Sequence, residues 1–458
     1  MFHFLFSDKE YYRKIWNLAI PLILQNAINS SINLIDSLMI GSLGDVALGS
    51  VNICNQFYFY LFNTIIFGLV GGGAILNAQY WGARDTQNIH RIMGIQLIGC
   101  ASVGITFFTL TAILPNQILS LYSKDPAVIQ TGAMYLSTLS ISYLLFPITN
   151  MYASAHRCTG NTRVPMFTTG ISLITKVIIS WILIFGHFGF PVMGVKGAAI
   201  GTLIARSGEF ILLLSLTYLK KYPVAATFKN MFDFQKRITT AAIRNILPVM
   251  INEGIWGLGT NVYSSIYANI STASIAAVGA VSPIDNLMFT IFLGVGDACG
   301  IMTGNLLGSN EKEKAYDYSK RSISLSFMLA ITIGFSVFLA RKKILSIYSL
   351  SPEATDYASH ILAIMAACLW ARTTSYTLII GVLRAGGDVR FCLIVDSGCS
   401  WFIGIPIAFI LARIFHQPIS IVYFGVMMEE ILKSVIVFSR FVSRKWMNNL
   451  VMDDIVYQ

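Results

Sequence analysis

Acidic side chains set inside long apolar runs are the residues of this sequence with chemistry to offer. The first run, Trp16–Gly41, reads WNLAIPLILQNAINSSINLIDSLMIG. It is long enough to cross a bilayer, which takes about 20 residues. Asp36 lies roughly two-thirds of the way along it. An ionised carboxylate at membrane depth costs about 2.5–3.5 kcal/mol on insertion scales, so such a group faces a cavity or a partner and marks an ion or substrate path. Pro21 removes a backbone donor and invites a kink. Asn26, Asn29, Ser30, Ser31 and Asn33 add a polar run that a lipid-facing anchor does not need. Further acids sit in later apolar runs: Glu253 in Asn252-Glu253-Gly254-x-Trp256, Asp285, Asp297 in GVGDACG, and Asp396 ahead of Trp401 and Pro406. Asp396 begins so near one end of its run that an inner-gate bond fits as well as a cavity role. Glu429 and Lys433 are spaced i, i+4 and pair on one helix face, with Glu430 pointing elsewhere. Arg206 with Glu209 reads as a structural pair.

The elements that position these groups follow from composition. Of 458 residues, 55% are hydrophobic and only 12% charged, against about 25% charged in a soluble protein. This is the composition of an all-α, polytopic membrane protein. The net charge of +10 is then expected in cytoplasmic loops rather than on a nucleic-acid surface. The seven cysteines are scattered without a CxxC and read as small packing residues, not metal ligands or disulfides. No metal cluster, nucleophile–base set or GxxxxGKS loop is present in the sequence, so neither an enzyme nor direct ATP drive is expected. The first run is too long for a signal peptide and leads straight into further spans.

Twelve spans are predicted, at about 16–41, 46–79, 92–114, 130–153, 164–186, 194–218, 246–269, 274–307, 322–340, 357–382, 391–412 and 418–439. An even number puts both termini on one side. That side carries 22 Lys and Arg and the other six, which predicts cytoplasmic termini, with Arg341-Lys342-Lys343 as the local exception. The halves repeat. ILSLYSKDP at Ile118–Pro126 recurs as ILSIYSLSP at Ile344–Pro352, an offset of 226. Arg157-x-x-Gly160-Asn161-x-Arg163 recurs as Arg384-x-x-Gly387-Asp388-x-Arg390, an offset of 227. Gln79-x-x-Gly82 recurs as Asn305-x-x-Gly308, and Pro21 as Pro248. Six spans per copy make a parallel repeat, and transporter sites tend to lie between such repeats. The predicted organisation is an N-lobe over 1–218, a basic linker over 219–245, a C-lobe over 246–440 and a tail over 441–458.

These stretches resemble the multidrug and toxic compound extrusion (MATE) family of cation-coupled antiporters, bacterial branch. The resemblance is carried by Ile20–Asn52, AQYWGARD at Ala78–Asp85, LIFGHFGFPVMGVKGAAIGT at Leu183–Thr202, LPVMINEGIW at Leu247–Trp256 and LRAGGDVRF at Leu383–Phe391. It implies two six-helix lobes forming a V around a central cavity. It implies export of organic cations or other amphipathic compounds in exchange for H⁺ or Na⁺ by alternating access, with no other cofactor. In that frame Asp36 matches the family's first-span cation ligand. The span-5 positions that complete its site fall at Lys176 and Ser180, a departure from the usual Asn with Asp or Asn. An ammonium at Lys176 would stand where Na⁺ would bind at Asp36. Thr202 matches a span-6 threonine and offers an oxygen. Glu253 matches a C-lobe acid used for protons or cationic substrates. Asp297, Asp285, Asp396, Asn33 and Trp256 are candidates for the substrate cavity.

The alternative is a flippase of lipid-linked precursors from the same superfamily. Twelve spans, with Lys176 as the single clear cavity cation, disfavour it. A channel or scaffold fits a duplicated chain with acids in both halves less well than a transporter. Small-molecule drugs and the bilayer are the expected partners, with no nucleic acid. The expected state is a monomer in the bacterial cytoplasmic membrane.

Overall fold

A computed structural model describes residues 8–348 and 350–451, apart from the side chains of Asn33, Leu34 and Tyr60. These residues are helical nearly throughout, with no strand among them. The long helices, in order, are α1 Lys9–Gly41, α2 Asp45–Gly82, α3 Thr86–Ile113, α4 Pro126–Leu139 with Ser142–Cys158, and α5 Arg163–Phe185. There follow α6 Val195–Leu219, α7 Lys236–Ala268, α8 Thr272–Gly308, α9 Lys312–Leu345, α10 Pro352–Leu383, α11 Val389–Ile414 and α12 Ile419–Val442. Nine of these are long and apolar enough alone to cross a membrane. The α4 pair, bent by 51°, makes a tenth. The other two are long enough but more polar: α12 carries Glu429, Glu430 and Lys433 within a single turn.

The sequence repeats are repeats of helix ends. Asp125 caps α4 by accepting from Ala127 N at 2.9 Å, and Pro126 follows at the first helical position. Ser351 caps α10 by accepting from Ala354 N at 3.2 Å, and Pro352 follows. Cap oxygens satisfy amides that the helix itself leaves open, and proline there loses no bond. Gly160 and Gly387 both take positive φ, 81° and 77°, just past their helices.

The chain divides into two compact units, Met1–Ile23 with Ile251–Gln458, and Leu24–Met250. The division does not follow the sequence order. It cuts α1 between Ile23 and Leu24 and α7 between Met250 and Ile251, in each case just past a proline, Pro21 or Pro248. Glycines receive the exchanged half-helices. A Cβ on Gly68 of α2 would lie 2.5 Å from Met250 Cα, and one on Gly72 would lie 2.5 Å from Ile246 Cα. In the other unit a Cβ on Gly294 of α8 would lie 2.4 Å from Ile23 Cγ1. Backbone contact this close is the small-residue packing that membrane helices use in place of a hydrophobic drive.

Candidate functional site

In the 24–250 unit a cavity of about 290 Å³ opens among α1, α2, α4, α5 and α6. Asp36 lines it from α1 and Lys176 from α5, and Lys176 Nζ meets Asp36 Oδ2 in a half-buried ion pair. Thr202 and Arg206, one turn apart on α6, line the same wall. Thr202 Oγ1 donates to the Ala198 carbonyl at 3.0 Å. The α4 bend brings Tyr135 and Tyr143, one from each half, to the cavity. Tyr58 opens a π-helical stretch in α2, Tyr58–Asn63, whose wider turn carries its side chain to the same space. The Arg206 guanidinium lies over the rings of Phe146 and Tyr58, 4.3 and 5.0 Å from their centroids. Glu209 turns away, accepting from Thr169 Oγ1 at 2.6 Å, which accepts from Gln25 Nε2 at 2.9 Å. Ser180 does not line the cavity. It is buried against Gly201, where an added Cβ would lie 2.3 Å from its Oγ. Asn33 falls among the side chains outside the description.

The 1–23/251–458 unit holds a denser set. Lys433 on α12 is nearly fully buried and lies 3.0 Å from Asp396 Oδ1, 3.0 Å from Glu430 Oε1 and 3.2 Å from Glu429 Oε1. Asn252 Nδ2 donates to Asp396 at 3.1 Å, and Ser397 Oγ donates to Asn252 at 3.0 Å. Tyr263 and Ser400 hydroxyls each donate to Glu429 at 2.8 Å. Glu253 accepts from Arg384 Nη1 at 2.7 Å, both buried. Asp285 accepts from Arg372 Nη1 at 2.6 Å, and that guanidinium lies 4.4 Å from the Phe289 centroid. Asp297 of α8 is half-buried beside Tyr376. Trp256 is exposed on α7. Among the described residues no group of three or more His, Cys, Asp or Glu is arranged to hold a metal ion.

Two sequence expectations need correction. Glu430 does not point elsewhere: three residues from Lys433, it shares that ammonium as closely as Asp396 does. Lys176 is not the single cavity cation, because Arg206 lines the same cavity, with Glu209 close enough to act on it but hydrogen-bonded to Thr169. Arg384 lies in the turn between α10 and α11, as the span bounds predict, yet it is buried there as the partner of Glu253. A signal for Arg206 exists. Lys433 follows it by 227 residues, the offset that relates Pro21 to Pro248 and Arg157 to Arg384. The same offset pairs Asp396 with Thr169, Glu429 with Thr202 and Glu430 with Leu203.

Comparison with known proteins agrees with the duplicated fold. The MatE family model matches twice, over residues 21–182 and 248–410. The chain is 24% identical over 422 residues to the probable multidrug resistance protein YoeA of Bacillus subtilis, covering 92% of this chain and 91% of that one. It is 23% identical over 443 residues to the probable multidrug resistance protein NorM of Thermotoga maritima, covering 96% and 94%. A Pyrococcus furiosus transporter of the MOP superfamily, described as having a binding pocket of reverse polarity, superposes with a TM-score of 0.86 at 17% identity, covering 96% of this chain and 97% of that one.

Proposed function

Since this chain belongs to the MATE family of multidrug efflux transporters, we propose that it exports amphipathic small molecules by alternating access, driven by an inward proton gradient. The observation that carries the choice of ion is the Lys176 ammonium on Asp36. The carboxylate that would hold Na⁺ already holds a positive charge. Protons have a better place in the other unit. Asp396, Glu429 and Glu430 face one buried ammonium, an excess of two negative charges around it. A proton on one of these carboxylates relieves their repulsion and leaves Lys433 with the others. A conformational equilibrium moves only by the difference in ion affinity between its two states, and a crowded carboxylate set can differ strongly with small changes in spacing. The prolines at the unit boundaries, Pro21 and Pro248, give α1 and α7 joints at which each half-helix moves with its own unit.

The excess of basic residues on one side of the predicted topology supports cytoplasmic termini in a bacterial inner membrane. We take the working state to be a monomer. The flippase reading gains one observation, the second cavity cation Arg206. Purified protein in liposomes tests the antiporter reading. Efflux of cationic, neutral and anionic amphipathic dyes is followed under a pH gradient or a Na⁺ gradient, for wild type and Lys176→Asn. The expected result is export on the pH gradient alone, with a Na⁺ response gained in the variant. Wild-type export on Na⁺ alone overturns the ion assignment. Gradient-independent scrambling of labelled lipid, with no dye export, favours the flippase.

A further inference from the structure

The charges that line the cavity of the 24–250 unit are Asp36, Lys176 and Arg206. Asp36 and Lys176 neutralise each other. Arg206 is answered less fully: the Phe146 and Tyr58 rings hold its guanidinium, the Tyr58 hydroxyl and the charge of Glu209 act on it, and among the described residues no carboxylate lies within ion-pair distance of it. Glu209, the nearest acid along α6, is bonded to Thr169 and lies outside the lining. Lys433, at the related position of the other unit, is answered by three carboxylates. Around Arg206 the related positions are Thr169, Thr202 and Leu203, none of them acidic. A guanidinium held against aromatic faces keeps its edge donors in the planar fork that fits a carboxylate, sulfonate or phosphate. Tyr135 and Tyr143 supply aromatic wall nearby. A volume of about 290 Å³ suits one small ring system.

We propose that this cavity binds a small aromatic acid, with its anionic group on Arg206 and its rings among the tyrosines, rather than an organic cation. Lys176 adds a second positive contact when it leaves Asp36. Asp36 is the internal competitor: when it recaptures Lys176, the anion loses that contact and leaves. The inference rests on the export reading above and names its substrate class.

Isothermal titration of the full-length protein in detergent, with 2-naphthoate and 2-naphthylmethylammonium as size-matched probes of opposite charge, tests it without any gradient. Wild type is expected to bind naphthoate at least tenfold tighter. Arg206→Gln removes that preference and Arg206→Lys keeps most of it. Asp36→Asn frees Lys176 and tightens naphthoate severalfold, whereas Lys176→Ala weakens naphthoate and admits the ammonium probe. A merely structural Asp36 would not tighten anion binding when neutralised. Tighter binding of the ammonium probe, its loss in Asp36→Asn, naphthoate binding indifferent to Arg206→Gln, or no binding of either probe overturns the assignment. Naphthoate binding with no gradient-driven export in liposomes would sink the antiporter reading and leave this one standing. Proton-driven export of cationic dyes without naphthoate binding would do the reverse.

Discussion

Arg206 and Lys433 occupy one position of a duplicated scaffold and meet opposite surroundings. Arg206 lies on two aromatic rings beside a cavity whose acid is already paired. Lys433 is buried among three carboxylates that hydroxyls and an amide hold in place. The backbone devices, by contrast, are shared: capped helices with proline at the first position, glycines that accept a half-helix, and a crossing helix with a proline near its midpoint. Duplication has kept the joints and let the buried charges diverge. On the readings proposed above, each unit is thereby fitted to a different task, one to hold a charged ligand and the other to hold protons.

The comparison breaks first at Lys433. Lys433→Met leaves three carboxylates, one of them buried and two partly so, without their cation, and removal of one partner from a buried site costs about 3–5 kcal/mol. SDS-titration unfolding should show that loss in Lys433→Met and recover much of it in the double variant Lys433→Met/Glu430→Gln. Arg206→Met breaks no ion pair among the described residues and should cost far less in the same assay, chiefly its ring contacts and the more distant attraction of Glu209. Equal losses at the two positions would mean the surroundings differ less than the geometry indicates. A middle-sized effect is expected at the crossing. Gly72→Val forces side-chain atoms into the Ile246 backbone and should destabilise by about 1–3 kcal/mol. Gly71→Val, one residue away with nothing within 4 Å of its Cβ, should be near neutral.

Much of this architecture is legible in the sequence. Span count and duplication follow from hydropathy and a constant offset, and the meeting of Asp36 with Lys176 from the resemblance to the MATE family. The parts that were not readable have physical causes. Glu430 escapes a reading by i, i+4 spacing alone, although i, i+3 positions are neighbours on a helix too. Ser180 has the right spacing from Lys176, but a small side chain facing glycine is drawn into the helix contact instead of the cavity. Arg384 belongs to a loop-like motif, and nothing local says that a long guanidinium will fold back to a buried glutamate. The exchange of half-helices is hidden because its boundary lies inside a continuous helix, where no loop or change of composition marks it.

The smallest expected effect sharpens the comparison from its shared side. Asp125 and Ser351 cap equivalent helices through different side chains, a carboxylate at 2.9 Å from Ala127 N and a hydroxyl at 3.2 Å from Ala354 N. Loss of a cap oxygen costs about 1 kcal/mol, because a helix-end amide is left without its partner. If the scaffold is common to both units, Asp125→Ala and Ser351→Ala should each lower stability by about that amount, with little change in transport. A small excess at Asp125 is expected, since a carboxylate also meets the positive end of the helix dipole, and that excess should shrink in high salt. Thermal unfolding in detergent at two ionic strengths measures both. A transport defect at one cap alone would show that helix ends, as well as buried charges, have diverged between the units.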